Sequence, residues 1–221
     1  MVGGGVGGLE TARVAALRGH RVVLFEKGRE LGGQVLVAAR TPARADYAGI
    51  VRFLIRQVER QGVDCRLSME AGVETVLAES PDVVVVATGS HAHVPALPGL
   101  DGKHVVTDRD VLLDRVEVGE RVVVVDDVHT QQGLSTADYL LERGRRVEVV
   151  SRLFYAGQDV GITSIVPLYT RLFAKGVVFT PHTDLVAVEG STVVVANVYT
   201  GEERRIEGDR KSTRLNSSHR L

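Results

Sequence analysis

Short runs of β-branched residues alternate with helical patterns along most of the chain. Four runs predict buried strands of a parallel sheet, because they are apolar almost throughout and only about five residues long. These runs are 21–25, 83–87, 121–125 and 146–150. Between them, apolar residues recur every three or four positions, which predicts helices with one buried face. This alternation predicts βαβ units and a parallel sheet.

Three helical faces are well defined. Their apolar positions are Tyr47, Val51, Leu54, Ile55 and Val58 in the first, Ala137, Leu140 and Leu141 in the second, and Ile165, Leu168, Tyr169, Leu172 and Phe173 in the third. Gly62, Gly144 and Gly176 each stand just past one face, as expected of helix-ending glycines. Further along, the strand-like runs 184–188 and 192–198 predict an antiparallel hairpin.

The two halves of the chain repeat one spacing. Gly8 lies 18 residues before Glu26, and Gly133 lies 18 residues before Ser151. Two copies of one nucleotide-binding unit account for this most simply. We therefore predict an α/β fold with two Rossmann-like, doubly wound dinucleotide-binding half-domains, the second inserted in the first. A turn-rich break at 93–99 separates the halves, and the predicted domains are 1–105, 106–208 and a tail at 209–221.

The strongest candidate site is the glycine motif near the start of the chain. Gly3, Gly5 and Gly8 fit the pattern G-x-G-x-x-G. The first glycine permits a tight turn, the second lets backbone approach a pyrophosphate, and the third allows close packing of helix on sheet. Glu26 ends the next strand, where a carboxylate can accept hydrogen bonds from a ribose. The alternative is a glycine-rich loop without a ligand.

Two further segments extend this site. Glu26 and Lys27 begin a stretch that ends in Gly33 and Gln34, and its glycines would let the loop fold over a ribose. The run 83–87 ends in Thr88 and Gly89. Ligands bind at the carboxyl ends of strands in such sheets, so we expect both residues to face the cofactor. A plain exit from the strand explains these two residues equally well.

The second copy of the motif is degraded. Aligning Ala137 with Ala12 places Val128, Thr130 and Gly133 at the three glycine positions, so only the last glycine survives. Side chains at the first two positions would obstruct a pyrophosphate, and the acidic pair 126–127 would repel it. In contrast, Arg152 follows the ribose-acid position and suits a 2′-phosphate. The sequence leaves both an NAD(P)H site and a nucleotide-free domain open.

Several motifs together resemble a known family. GGGVGGLETA, EKGRELGGQ and VVVVATGS resemble flavoproteins with two dinucleotide domains, although Val6-Gly7 replaces the usual Pro-Ala. DDVHTQQGLSTADYL, YAGQD and KGVVFTPHTD narrow this further. They resemble the C-terminal part of the NADH:flavin oxidoreductases related to old yellow enzyme. That group includes 2,4-dienoyl-CoA reductase, trimethylamine dehydrogenase and N-methylproline demethylase.

The resemblance implies a function that this chain would share with a partner domain. It implies FAD or ADP at the first glycine motif, and an N-terminal barrel with FMN and a 4Fe-4S cluster that is absent here. The parent would be an FAD-dependent, NAD(P)H-linked oxidoreductase that passes electrons to that barrel. The alternative is a non-catalytic ADP-binding module, as in trimethylamine dehydrogenase. Hydride transfer is the cofactor's chemistry, so we expect no catalytic side chain here.

The composition argues against several kinds of partner and site. The net charge of −1 gives no electrostatic reason to expect nucleic acid or an anionic membrane as partner. No apolar run reaches the roughly 20 residues of a spanning helix, so we expect a cytoplasmic protein. The single cysteine, Cys65, excludes an internal disulfide and a cysteine-ligated cluster or zinc site.

Both ends of the chain depart from the expected pattern. Only two residues precede Gly3, where a Rossmann strand needs about five. We therefore expect the natural protein to continue upstream. The tail DRKSTRLNSSH at 209–219 has no apolar periodicity, and it resembles the translation of a short-read sequencing adapter. We therefore expect residues 209–221 to have no part in the function.

Overall fold

A computed structural model describes residues 1–102 and 104–208, together with the backbone of residues 214–216. The chain divides into two units. The first contains Met1–Arg40 and Arg44–Gly89, and the second contains Thr41–Ala43 and the chain from Ser90 onward. The predicted α/β class with parallel sheets is confirmed.

The helices and strands follow the predicted alternation. The helices are α1 Val6–Leu17, α2 Gln34–Ala38, α3 Tyr47–Arg60, α4 Val73–Leu77, α5 Asp108–Leu112, α6 Gln131–Glu142 and α7 Ile162–Ala174. The strands are β1 Val23–Phe25, β2 Asp64–Arg66, β3 Val105–Thr107, β4 Arg121–Val125, β5 Arg146–Val150, β6 Val178–Thr180, β7 Thr183–Glu189, β8 Thr192–Asn197, β9 Glu203–Glu207 and β10 Arg214–Asn216. Within the described residues, no helix combines the length and apolar character needed to cross a membrane.

The first unit is built on parallel pairing around Val2. Strand β1 pairs with β2 in parallel, and Val2 forms parallel bridges to both Phe25 and Val86. The order β2, β1, Val2, Val86 is that of a doubly wound sheet. Helices α1 and α3 bury Leu9, Ala12, Leu54 and Val58 against Leu24. The predicted face of α3 is thus confirmed at its centre, while Tyr47 at its start is 41% exposed.

The prediction of a buried strand at 83–87 is wrong. Among the described residues, the backbone of this run pairs with Val2 alone: Val2 N donates to Val85 O over 3.0 Å, and Ala87 N donates to Val2 O over 2.8 Å. Val83 and Val86 remain 75% and 71% exposed. A cavity of about 500 Å³ lies between 83–85 and β1. An apolar run becomes a buried strand only where neighbouring strands and helices cover both faces.

The second unit contains two sheets. A parallel sheet has the order β3-β10-β4-β5-β6, and the predicted strands 121–125 and 146–150 are its buried centre. Strands β7, β8 and β9 form an antiparallel sheet. The predicted hairpin is confirmed, and β9 adds a third strand that the sequence pattern did not indicate.

The helix ends and the tail complete the fold. Gly62, Gly144 and Gly176 have φ values of 68°, 73° and 77°, so all three end helices as predicted. Of the tail at 209–221, only the backbone of β10 is described, and it pairs in parallel with β3 and β4. The rest of the tail lies outside the described residues.

Candidate nucleotide-binding site

The first glycine turn is closed so tightly that two of its positions require glycine. Gly3 has φ +106°, and a Cβ there would lie 2.2 Å from Ala87 O. A Cβ on Gly8 would lie 1.9 Å from Gly3 O. Both distances are far below van der Waals contact, so any side chain would force the turn away from α1 or from residue 87.

Gly5 differs from these two glycines because the space beside it is open. No atom lies within 4 Å of the position that its Cβ would occupy. Gly5 is also the N-cap of α1, where the first backbone N–H groups have no partner within the helix. The turn therefore presents bare backbone and a helix N-terminus to its surroundings, which is the arrangement that binds phosphate groups.

Glu26 joins the turn to the loop that follows β1. Its Oε2 accepts a hydrogen bond from Gly4 N over 2.7 Å, and its Oε1 accepts one from Gly28 N over 2.6 Å. Each carboxylate oxygen can accept a second bond. Glu26 is half-buried, while the adjacent Lys27 is exposed. The carboxylate is thus fixed in place with capacity left for ribose hydroxyls.

The loop after β1 folds onto the glycine turn. Gly32 N donates to Gly4 O over 2.8 Å, and a Cβ on Gly33 would lie 3.1 Å from Gly5 Cα. Gly33 has φ +54°, which glycine adopts readily. It is followed by Gln34, the first residue of α2.

Gln34 in turn lies beside the segment after 83–87. A Cβ on Gly89 would lie 3.5 Å from Gln34 Nε2, and one on Gly3 would lie 3.0 Å from Thr88 N. Thr88 and Gly89 are exposed. The structure therefore brings together the residues that the sequence predicts for the first site: Gly3, Gly5, Gly8, Glu26, Gly33, Gln34, Thr88 and Gly89.

The second turn departs from the predicted alignment at its strand end. Asp126 N donates to Val150 O over 2.9 Å. In the first turn Gly3 N makes the corresponding bond, to Phe25 O over 2.8 Å. Asp126, rather than Val128, therefore takes the place of Gly3, because backbone pairing with the next strand fixes where each turn begins.

At the helix end, the alignment agrees with the structure. Thr130 is the N-cap of α6 as Gly5 is of α1, and both Gly133 and Gly8 are buried in the first turn of their helices. The hydroxyl of Thr130 contacts the side chain of Gln132. The second turn is thus two residues longer than the first, and its N-cap carries a side chain.

In the second half, the residues at the predicted ribose-binding position interact with neighbouring protein groups. Ser151 is buried, and its Oγ accepts a hydrogen bond from Leu153 N over 3.3 Å. Arg152 is exposed, and its Nε lies 3.9 Å from Asp184 Oδ2. The Ser151 hydroxyl therefore accepts a hydrogen bond within its own loop, while Arg152 is a surface cation.

Asp126 has a structural role that the sequence analysis missed. It is 1% exposed, and its two oxygens accept hydrogen bonds from His129 N over 3.1 Å and Gly157 N over 2.6 Å. Burial raises the pKa of its carboxyl, against the lowering effect of the Gly157 N–H. Aspartates often bond backbone N–H groups in turns, but only the fold brings in Gly157, 31 residues away.

Comparison with known proteins places this geometry in a family. Residues 1–212 match the family described as pyridine nucleotide-disulphide oxidoreductase. The N,N-dimethylglycine/sarcosine dehydrogenase of Chromohalobacter salexigens is 40% identical, with 94% of this chain and 32% of that protein covered. A probable N-methylproline demethylase of Rhizobium meliloti is 36% identical, with 86% and 28% covered.

A solved structure of 2-naphthoyl-CoA reductase superposes with a TM-score of 0.91 at 28% identity, over 99% of this chain and 32% of that one. Histamine dehydrogenase from Rhizobium sp. 4-9 gives 0.87 at 25% identity, over 99% and 35%. Thioredoxin reductase of T. acidophilum, at 16% identity and 0.73, shares the fold alone. The chain spans about a third of the length of the first four of these five proteins. The chain therefore belongs to the pyridine nucleotide-disulphide oxidoreductase family.

Proposed function

We propose that this chain is the nucleotide-binding part of an FAD-dependent oxidoreductase, and that its first half holds FAD. The open backbone at Gly5, beside the fixed carboxylate of Glu26, carries the proposal. FAD when bound would supply hydride and electron transfer. The parent protein would pass these electrons between a nicotinamide nucleotide, the FAD and an FMN/4Fe-4S barrel domain.

The first half would hold the ADP part of the cofactor through backbone more than through side chains. The N-terminus of α1 at Gly5 would face the pyrophosphate, because its free N–H groups and the helix dipole favour negative charge. Glu26 would accept hydrogen bonds from the ribose. Gly33 and Gln34 would flank the nucleotide, with Lys27, Thr88 and Gly89 at the rim.

Replacing Gly5 by alanine tests the proposal. The added methyl enters open space at φ −69°, so the fold should tolerate it. If pyrophosphate approaches this backbone, FAD affinity should fall at least tenfold, about 1.4 kcal/mol. Titration of the apoprotein with FAD, followed by flavin fluorescence, measures the affinity.

Gly7→Ala is the matched control. A Cβ on Gly7 also meets no atom within 4 Å, but this position lies inside α1. We expect unchanged FAD affinity and slightly higher stability, because alanine favours helix by about 1 kcal/mol over glycine. Equal FAD affinities of the two variants, both matching the original chain, would contradict the proposed site.

A non-catalytic ADP module is the second candidate function. It is favoured by the fact that the best-defined contacts, at Gly5 and Glu26, would touch only the ADP part of FAD. Chain purified without added nucleotide should show the visible absorption of oxidised flavin if FAD is the natural ligand. Colourless protein that releases ADP on denaturation would favour the module.

A further inference from the structure

The two turns of the chain carry the same hydrogen-bonded cradle. In the first, Gly4 N and Gly28 N both donate to the carboxylate of Glu26. In the second, His129 N and Gly157 N both donate to the carboxylate of Asp126. Each cradle thus joins the turn before the helix to the loop after the next strand through one carboxylate.

The backbone of the two cradles also corresponds. Gly32 N donates to Gly4 O over 2.8 Å, and Asp159 N donates to His129 O over 2.9 Å. The second half has therefore kept the architecture of the first turn and its covering loop. What has changed is the length of the turn, the residue at its N-cap and the origin of the carboxylate.

The origin of the carboxylate decides where its charge lies. Glu26 reaches the first turn from the end of β1, at the side where a ribose would bind. Asp126 stands in the second turn itself, directly after β4, and is buried there. A pyrophosphate at the N-terminus of α6 would have to approach this buried negative charge, and charges of like sign repel strongly where water is excluded.

Two other features also disfavour a dinucleotide in the second half. Thr130 places a side chain where Gly5 leaves open space. The buried Ser151, which follows β5 as Glu26 follows β1, offers no carboxylate to a ribose and is already bonded to Leu153 N. Arg152 would favour a nicotinamide nucleotide, but this residue is exposed beside Asp184.

We infer that Asp126 is an internal anion that takes the role of a bound phosphate in the second turn, so that the second half binds no nicotinamide dinucleotide. The residues do not fit the group that the family implies for this half. Gly133 then serves helix packing, and Arg152 serves the surface. This inference concerns the second half and stands independently of FAD binding in the first.

A titration of the chain with NADH and with NADPH tests the inference directly. Isothermal calorimetry should show no saturable binding of either nucleotide up to about 1 mM, the upper end of usual KM values. Running it with and without saturating FAD separates the two halves, because failure of FAD binding would leave this result unchanged. Saturable binding of either nucleotide to the FAD-loaded chain would overturn the inference.

A pair of variants tests the role of Asp126 itself. Asp126→Ala leaves the N–H groups of His129 and Gly157 without an acceptor, so we expect Tm to fall by about 5 °C or more. Asp127→Ala removes the same charge from an exposed neighbour and should shift Tm by no more than about 1 °C. Equal shifts would overturn the inference.

Hydrogen exchange in the unmodified chain tests the role of Asp126 without a variant. If Asp126 holds both N–H groups, the amides of His129 and Gly157 should exchange much more slowly than the amide of the exposed Asp127. Fast exchange at both amides would show that the carboxylate does not close the turn, and the inference would fail.

Discussion

The two halves of this chain solve one structural problem with different residues. Each must join a strand end, a helix N-terminus and the loop after the next strand, and each does so through backbone N–H groups that donate to a carboxylate. In the first half the turn is short and its N-cap is bare glycine. In the second it is two residues longer and its acid lies inside it. A repeated fold therefore need not repeat the residues that close its turns.

The largest expected effect is at the tightest point of the first turn. Gly8→Ala would place a methyl 1.9 Å from Gly3 O, and overpacking of this kind costs up to about 3 kcal/mol. Urea unfolding of the first half should show this loss, and FAD binding should disappear with it. The Gly7→Ala variant, in the same helical turn, should lose nothing. A small loss at Gly8 would mean that the first turn is as loose as the second.

The next largest effect is expected from adding residues to the sheet of the first half next to Val2. A five-residue valine-rich extension before Met1 should lie along β1 and 83–85 and cover Val83 and Val84, which are 75% and 44% exposed. Burying both side chains should raise the free energy of unfolding by about 2 kcal/mol. Urea unfolding of the extended and original chains measures this.

A proline variant controls for this extension. Since Val2 N donates to Val85 O, the residue directly before Met1 should donate to Val83 O. Proline at that residue has no N–H to donate, so most of the gain should vanish. If the extension with proline stabilises as much as the one without, the added residues do not pair as a strand.

A smaller effect is expected from the carboxylate of the first cradle. Glu26→Gln removes the charge, and its amide can accept from only one of the two N–H groups, so FAD affinity should fall about tenfold, or 1.4 kcal/mol. The exposed Glu30 provides a charge-matched control, Glu30→Gln, which should leave the affinity unchanged. Equal FAD affinities of the two variants would show that Glu26 does not contribute to FAD binding.

The smallest expected effect is the pH dependence of the second cradle. Burial raises the pKa of Asp126, which lies 3.9 Å from His129 Nδ1 and has the charge of Asp127 nearby. The carboxyl is therefore protonated more readily in the folded chain than in the unfolded one, and the stability that protonation contributes is lost as pH rises through the folded pKa. Between about pH 4 and 7, the chain should lose stability relative to Asp126→Asn. An unchanged difference in urea midpoints across this range would contradict the raised pKa.

The sequence predicted most of the second unit because its strands are covered on both sides. The runs 121–125 and 146–150 are buried where predicted, since neighbouring strands and helices surround them. The prediction of a buried strand at 83–87 was wrong because Val2 is the single described strand partner of this run. An apolar run indicates that its side chains favour burial, and only the assembled sheet shows whether other strands and helices bury them.

The candidate site of the first half was predicted almost completely because glycine spacing is a local property. Gly3 and Gly8 are required by distances within one turn, and Gly5 and Glu26 follow at fixed offsets. The cradle of the second half could not be predicted in the same way. It depends on the meeting of Asp126 with Gly157, and no local pattern fixes that contact.

The sequence by itself determined the α/β class, the repeat of one strand–turn–helix spacing and the residues that meet at the first glycine turn, because these follow from residue periodicity and short-range sterics. Only the tertiary structure decided which of two aligned turns is open. The length of each turn, the strand register and the hydrogen-bond partners of a buried carboxylate depend on distant segments that pack together. No periodic pattern in the sequence indicates them. The contrast between Glu26 and Asp126 is therefore a property of the fold, although each acid is visible in the sequence.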